Sequence, residues 1–295
     1  MTRTIRGQPK GYKRSEITQE PEWKGLVERL VNLKGTALLL GTTNSGKSTL
    51  ARYLIEMLVS KNIIVSLIDS DIGQSSFGLP GTINIKIFKK AEDIEDFSSE
   101  KIFFVGSLNP AKKIPLMIDG IKKLADVARS ESELIIIDTT GLIHGDAGKA
   151  LKLGKIMTIK PEHLIAIQRH DELEHIIAPI KDINIYRIRV SKMVREIDRE
   201  ARIKYRKERF SEYFDEKRVI EFFLDDVHFF YNGKPLIHKE ISFKEGTLIG
   251  LNHNKDTKAL GVLLEMNANS VNFKSPIKSL RGIKEVVLGD INVYE

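Results

Sequence analysis

The 295-residue chain has no cysteine, one tryptophan and nine prolines. Without cysteine there can be no disulfide framework, no thiolate zinc site and no cysteine nucleophile. No run of about 20 apolar residues is present, so the sequence holds no candidate membrane-spanning helix. The opening MTRTIRGQPKGYKR lacks the apolar centre of a secretory signal, and the expected location is cytoplasmic. A guanine-reading N-K-x-D is also missing. Asn254-Lys255-Asp256-Thr257 places its aspartate one position early and reads as a surface turn.

What is present describes an ordinary globular protein, with 41% hydrophobic and 29% charged residues. The length suits one large domain and a smaller companion. The net charge of +7 fits a phosphate-rich partner, but it also fits a protein that is merely basic. Residues 1–30 read as a basic arm, with Arg3, Arg6, Lys10, Lys13 and Arg14 preceding any acidic residue.

From residue 31 to about 218 short apolar runs alternate with helical segments. The runs fall at 36–40, 63–68, 101–105, 133–137, 164–167 and 183–190, and helices are expected at 47–60 and near 115–129. That pattern predicts an α/β fold, a parallel sheet with helices on both faces. Beyond residue 218 the runs 219–231, 247–251, 259–266, 270–273 and 284–293 are strand-like. They are separated by turns such as Asn232-Gly233, which predicts a small β-rich C-terminal domain over 219–295.

Three constellations carry chemistry. The first is Gly41-Thr42-Thr43-Asn44-Ser45-Gly46-Lys47-Ser48-Thr49, which fits G-x-x-x-x-G-K-[ST] between an expected strand and an expected helix. Its glycines let backbone N–H groups wrap around phosphates, and the helix N-terminus adds positive potential. Lys47 supplies charge at the β- and γ-phosphates, and Ser48 is placed to ligate Mg²⁺.

The second is a set of carboxylates at strand ends, where ligands of such sheets bind. Asp69-Ser70-Asp71 closes one run, and Asp69 and Asp71 share a face. Either can serve an acceptor hydroxyl as base, and either can hold a metal through water. Asp138-Thr139-Thr140-Gly141 closes another run, and its aspartate is a second metal anchor. D-x-x-G suits a kinase and a nucleotide switch equally.

The third is a basic stripe. Arg195, Arg199, Arg202, Arg206 and Arg209 are spaced for one face of a single helix. Glu196, Asp198, Glu200 and Glu208 could balance it as a solvated face. Five like charges in a row nevertheless favour an anionic ligand, strongest at Arg202 and Arg206.

Together these residues resemble the polynucleotide 5′-hydroxyl kinase family over roughly residues 35–215. The resemblance rests on Gly41–Thr49, on Asp71-Ile72-Gly73-Gln74 followed by Pro80-Gly81-Thr82, on Asp138–Gly141, and on Arg202 through Arg209 leading into Glu212-Tyr213-Phe214. It implies transfer of the γ-phosphate of ATP, with Mg²⁺, to a 5′-hydroxyl of RNA or DNA, in the company of other RNA-processing proteins. Asp71 would be the base, with Ser48, Asp71 and Asp138 around the metal. Asp69 and Gln74 would lie near substrate, Thr139 and Gly141 would clasp the terminal nucleotide, and Arg202 and Arg206 would form a lid over the phosphoryl group. Leu142 stands where many members carry a stacking aromatic. Eukaryotic members also have an N-terminal β domain that helps hold adenine, whereas about 30 residues precede this region here. The competing readings are an ATP-loaded, non-catalytic subunit of an RNA-processing complex, and a P-loop GTPase or ATPase switch.

Overall fold

A computed structural model of the chain describes residues 20–194, 196–215, 218–237, 244–267 and 269–295. Most of the residues read as a basic arm, including Arg3, Arg6, Lys10, Lys13 and Arg14, lie outside these, as does Arg195. The end of that stretch is not an arm but a helix, α1 (Pro21–Leu33). Proline at its first position suits a helix start, and Trp23, Leu26, Val27 and Leu30 recur at helical spacing and are buried.

The following elements alternate. They are β1 (Gly35–Gly41), α2 (Lys47–Val59), β2 (Val65–Ser70), β3 (Thr82–Phe88), β4 (Lys101–Phe104), α3 (Ile114–Glu131), β5 (Leu134–Thr139), α4 (Gly145–Ile159), β6 (His163–Gln168), α5 (Glu174–Ile177), β7 (Asn184–Arg189) and α6 (Arg199–Tyr213). Strands β2, β5, β1, β6 and β7 lie side by side and parallel. Alternate residues of each buried strand feed opposite faces. Ala37, Leu39, Val65, Leu67, Leu134 and Ile136 pack with α1 and α2. Leu38, Leu40, Ile68, Ile135 and Ile137 pack with α3 and α4. The expected helices on both faces are therefore present.

The sheet departs from the expected all-parallel order at one edge. The sequence reading passed over β3, which folds back antiparallel on β2, and β4 is antiparallel to β3. All seven residues of β3 are buried, and its one charge, Lys86, meets Glu100 at 3.4 Å.

The remaining strands are β8 (Arg218–Phe223), β9 (His228–Tyr231), β10 (Lys234–Leu236), β11 (Thr247–His253), β12 (Asp256–Met266), β13 (Ser270–Ser275) and β14 (Glu285–Asn292). They continue the same sheet through one pairing, Thr257 opposite Ile102, reinforced where the Thr257 hydroxyl accepts from the Phe104 amide at 3.0 Å. The C-terminal strands also seat α6. Phe210, Tyr213 and Phe214 pack with Leu248, Leu260, Val262 and Ile291, and the Tyr213 hydroxyl accepts from the Leu260 amide. Asn254 and Lys255 form the tight turn between β11 and β12, both with positive φ, and Asp256 pairs with Lys123 at 2.6 Å. The surface turn read from the sequence is there. Among the described residues no helix is long and apolar enough to cross a membrane.

Candidate nucleotide and acceptor site

The carboxyl ends of β1, β2, β5 and β6 converge, and the loop 41–48 runs from β1 into α2. Gly46 caps α2 in the left-handed region, with φ 86°, a conformation that costs glycine little. Gly141 answers it from the β5 side. A Cβ there would stand 2.3 Å from both the amide nitrogen and the hydroxyl of Thr43, so only glycine lets the two loops touch. Thr42, Asn44 and Ser45 complete the loop, and Thr49 follows Ser48 in the first turn of α2.

Lys47 donates to the Thr42 carbonyl at 2.7 Å and is buried. Burial pushes its ammonium down from the ordinary lysine range, while Asp138 and Asp71 pull it back up. The Ser48 hydroxyl donates to Asp138 Oδ2 at 2.5 Å. Asp138 Oδ1 accepts from the Thr139 amide at 2.8 Å. Burial raises the Asp138 carboxyl, opposed by Lys47 and Ser48. A hydroxyl and a carboxylate oxygen in contact form a hard-donor pair suited to Mg²⁺, which keeps several of its sites for phosphates and water. No group of three or more His, Cys, Asp or Glu side chains that could hold a metal occurs among the described residues.

The two neighbouring carboxylates differ sharply. Asp69 is fully buried beneath its loop. Its oxygens accept from the Asp71 amide, the Ser75 hydroxyl, and the Ser76 amide and hydroxyl. Burial, then Asp138 and Asp71, push it up to about 7. Its oxygens brace the loop from within. Asp71 is partly exposed, and its Oδ1 accepts from the Gly73 and Gln74 amides, each at 3.1 Å. This turn fixes the carboxylate at the mouth of the site, with Gln74 partly exposed beside it.

Helix α6 crosses above. It begins at Arg199, where Asp198 caps it by accepting from the Ala201 amide at 2.7 Å. Asp198 is thereby committed to the cap instead of balancing Arg202. Arg202 donates to the Asn44 side chain at 3.2 Å. Burial, then Arg202 and Arg199, lower Arg206. Among the described residues no carboxylate pairs with Arg199, Arg202 or Arg206. Arg209 plays a different part. It is buried, pairs with Glu212, and donates to the carbonyls of Phe77 and Gly78. Tyr205 donates to the Ser75 carbonyl at 2.7 Å. These two residues tie the helix to the loop that Asp69 braces.

Three residues were not singled out from the sequence. Arg169, after β6, donates to the Asn44 carbonyl at 3.1 Å and lies at 3.4 Å from the Thr42 hydroxyl. Lys152 and Lys155, on α4, are fully buried under the site. Lys152 donates to the Thr139 hydroxyl and the Thr140 carbonyl, and Lys155 to the Ser70 hydroxyl. Burial drives Lys155 down to about 7 and Lys152 well below its ordinary value. Their signal is a helical stripe, Gly148, Leu151, Lys152, Lys155, Ile156 and Ile159, in which two lysines occupy core positions. Leu142 packs against the core on the α3 and α4 side.

The buried Thr140 Oγ1 and Arg202 Nε have no hydrogen-bond partner in the described structure. Two orphan polar atoms at one site fit a polar ligand with oxygen groups.

The family described as the mRNA cleavage and polyadenylation factor CLP1 P-loop matches residues 41–216. A polyribonucleotide 5′-hydroxyl-kinase of Pyrococcus horikoshii is 36% identical over 229 residues, covering 74% of this chain and 62% of that protein. One from Methanocaldococcus jannaschii is 36% identical over 195 residues, covering 64% and 53%. The matches thus span little more than half the length of these curated relatives. The solved Clp1p–Pcf11p complex contains a chain that superposes with a TM-score of 0.71 at 14% identity, over 92% of this chain and 78% of that one. At that identity the likeness is one of fold.

Proposed function

The chain belongs to the CLP1 P-loop family, and from that premise we propose that it is a polynucleotide 5′-hydroxyl kinase. It takes the γ-phosphate of ATP to the 5′-hydroxyl of RNA, with DNA as a second candidate acceptor. The observation that carries the reading is the meeting of three elements at one strand edge: the Lys47–Ser48–Asp138 phosphate site, the turn-fixed Asp71, and an arginine helix touching Asn44.

The roles follow from the positions. Backbone amides of residues 41–48 and the Lys47 ammonium bind the β- and γ-phosphates. Ser48 and Asp138 would hold Mg²⁺, with Asp71 close by, and the ion when bound offsets charge on the phosphate oxygens. Asp71 takes the proton of the 5′-hydroxyl as the acceptor oxygen bonds to the γ-phosphorus. The bond to the bridging oxygen breaks and ADP leaves. Arg202 and Arg206 meet charge on the transferring group. Asp69 orients Asp71 through the loop. Gln74 and Gly141 lie toward the terminal nucleotide, Gly141 across its Thr43 contact, whereas the expected part of Thr139 is not open to it: that residue is fully buried and its hydroxyl is engaged with Leu39 and Lys152. Residues 31–218 form the kinase unit and 219–295 the unit that seats its lid. Association with further RNA-processing proteins belongs to the same proposal, since in the solved relative Clp1p is held with Pcf11p.

Incubation with γ-labelled ATP and an oligonucleotide bearing a 5′-hydroxyl tests the reading. Label on the oligonucleotide is expected. Label in inorganic phosphate would point to a switch, and unreacted ATP to a non-catalytic subunit.

A further inference from the structure

Lys152 and Lys155 sit three residues apart on α4, so both project from one face toward the same strand ends. Burying an ammonium is costly, and an apolar side chain of like length would fill the space without that cost. The hydrogen bonds fix what the lysines do. The Thr139 hydroxyl donates to the Leu39 carbonyl at 2.8 Å, so toward Lys152 it can only accept. The Ser70 hydroxyl donates to the Asp138 carbonyl at 2.6 Å, so toward Lys155 it also accepts. Each lysine is therefore the donor at the base of a short chain. One chain runs Lys152–Thr139–Leu39 and the other Lys155–Ser70–Asp138. Between them they join the ends of β1, β2 and β5, the strands that carry the phosphate loop, Asp71 and Asp138.

The geometry does not depend on charge. Burial, then Lys155 and Lys47, lower Lys152, while Asp71, Asp138 and Asp69 pull Lys155 back up. A lysine amine, charged or neutral, still donates to the Thr139 and Ser70 hydroxyls.

We infer that Lys152 and Lys155 are positioning residues of the transfer site, which hold the three strand ends in register from below. The inference rests on the kinase reading for its rate effect, but not for its binding effect. Lys155→Met and Lys152→Met keep length and remove donor and charge. Both proteins are expected to melt no lower than the parent. Their kcat should fall about tenfold or more, with KM for the oligonucleotide little changed, because misplaced reacting groups cost rate rather than acceptor affinity. Binding of ATP with Mg²⁺, followed by calorimetry, should weaken about fivefold, because the strand ends that carry the phosphate loop and Asp138 lose their brace. Residues that merely fill space would move neither quantity. Folded variants with parental kcat and ATP affinity would overturn the inference. If a methionine variant does not fold, Ser70→Ala serves, since it cuts the Lys155 chain with a small change. A parental rate and affinity there would likewise overturn it. If the parent itself transfers no phosphate, the kinase reading fails, and the calorimetric comparison still decides the role of the lysines.

Discussion

Two groups of cations converge on the phosphate loop, and they are built in opposite ways. Lys47, Lys152 and Lys155 are buried, and each donates to a carbonyl or hydroxyl oxygen of the site itself. Arg199, Arg202 and Arg206 lie on a helix that crowds like charges, with no carboxylate partner among the described residues. A group already held by the protein changes little when a phosphate arrives, so in the proposed kinase the lower group fixes the frame in which the triphosphate would bind. Half-hydrated arginines that repel one another gain more as charge builds on a transferring group, because the anion relieves their repulsion. In the proposed kinase the lower tier thus sets the geometry of the site before reaction, and the upper tier is suited to the transition state.

Removing a cation that touches the phosphates directly should have the largest effect. Lys47→Ala should bring transfer to the background level with the fold intact, checked by rate and circular dichroism together. Next comes the carboxylate contrast. Asp71→Asn should lower kcat by ~10²–10⁴-fold with ATP affinity nearly kept, as loss of a general base does. Asp69→Asn, by comparison, should act chiefly by lowering the melting temperature, since all its contacts are internal; equal rate losses for the two would erase the distinction.

A smaller effect is expected where the tiers are joined. Tyr205→Phe removes the hydroxyl that holds Ser75, a bond worth about 1 kcal/mol, and should cost kcat several-fold at most. Steady-state kinetics at saturating substrate would read it. The smallest effect lies outside both tiers. Arg187, in a two-point contact, and Gln168 hold Glu174 down to about 2. The carboxyl is depressed, so its contribution is present above the unfolded value near 4.3 and is lost as pH falls toward 2. With solvent screening, Glu174→Gln should cost about 0.5 kcal/mol at pH 7, and the gap should close as pH falls from 5 to 2 in denaturant titrations.

The arginines and Lys47 were more legible in the sequence than the two buried lysines of α4. The phosphate loop, Asp71, Asp138 and the arginines announce themselves through local spacing, because a strand end, a tight turn and a helix face are short-range objects. The floor lysines do not. Lys152 and Lys155 look like surface residues of an ordinary helix until the apolar stripe around them is phased, and their partners Thr139 and Ser70 lie far away in the chain. The fold shows the same limit. Apolar runs marked most strands of the parallel core, whereas β3 was missed and the antiparallel edge with it. The single Thr257–Ile102 pairing that joins the C-terminal strands to the rest has no local signal at all. Asp198, which caps α6, reads from the sequence as a charge partner of the arginines, because a cap is fixed by backbone geometry that charge spacing does not show.

The division of labour between the tiers is tested most directly at Arg206, with kcat and the ATP dissociation constant measured on one preparation of Arg206→Ala. The account predicts a fall in kcat of ~10³-fold with ATP affinity within about threefold of the parent, and poor rescue by lysine, which lacks the planar fork. Transfer at the parental rate, or a loss of ATP affinity as large as the loss of rate, would contradict it.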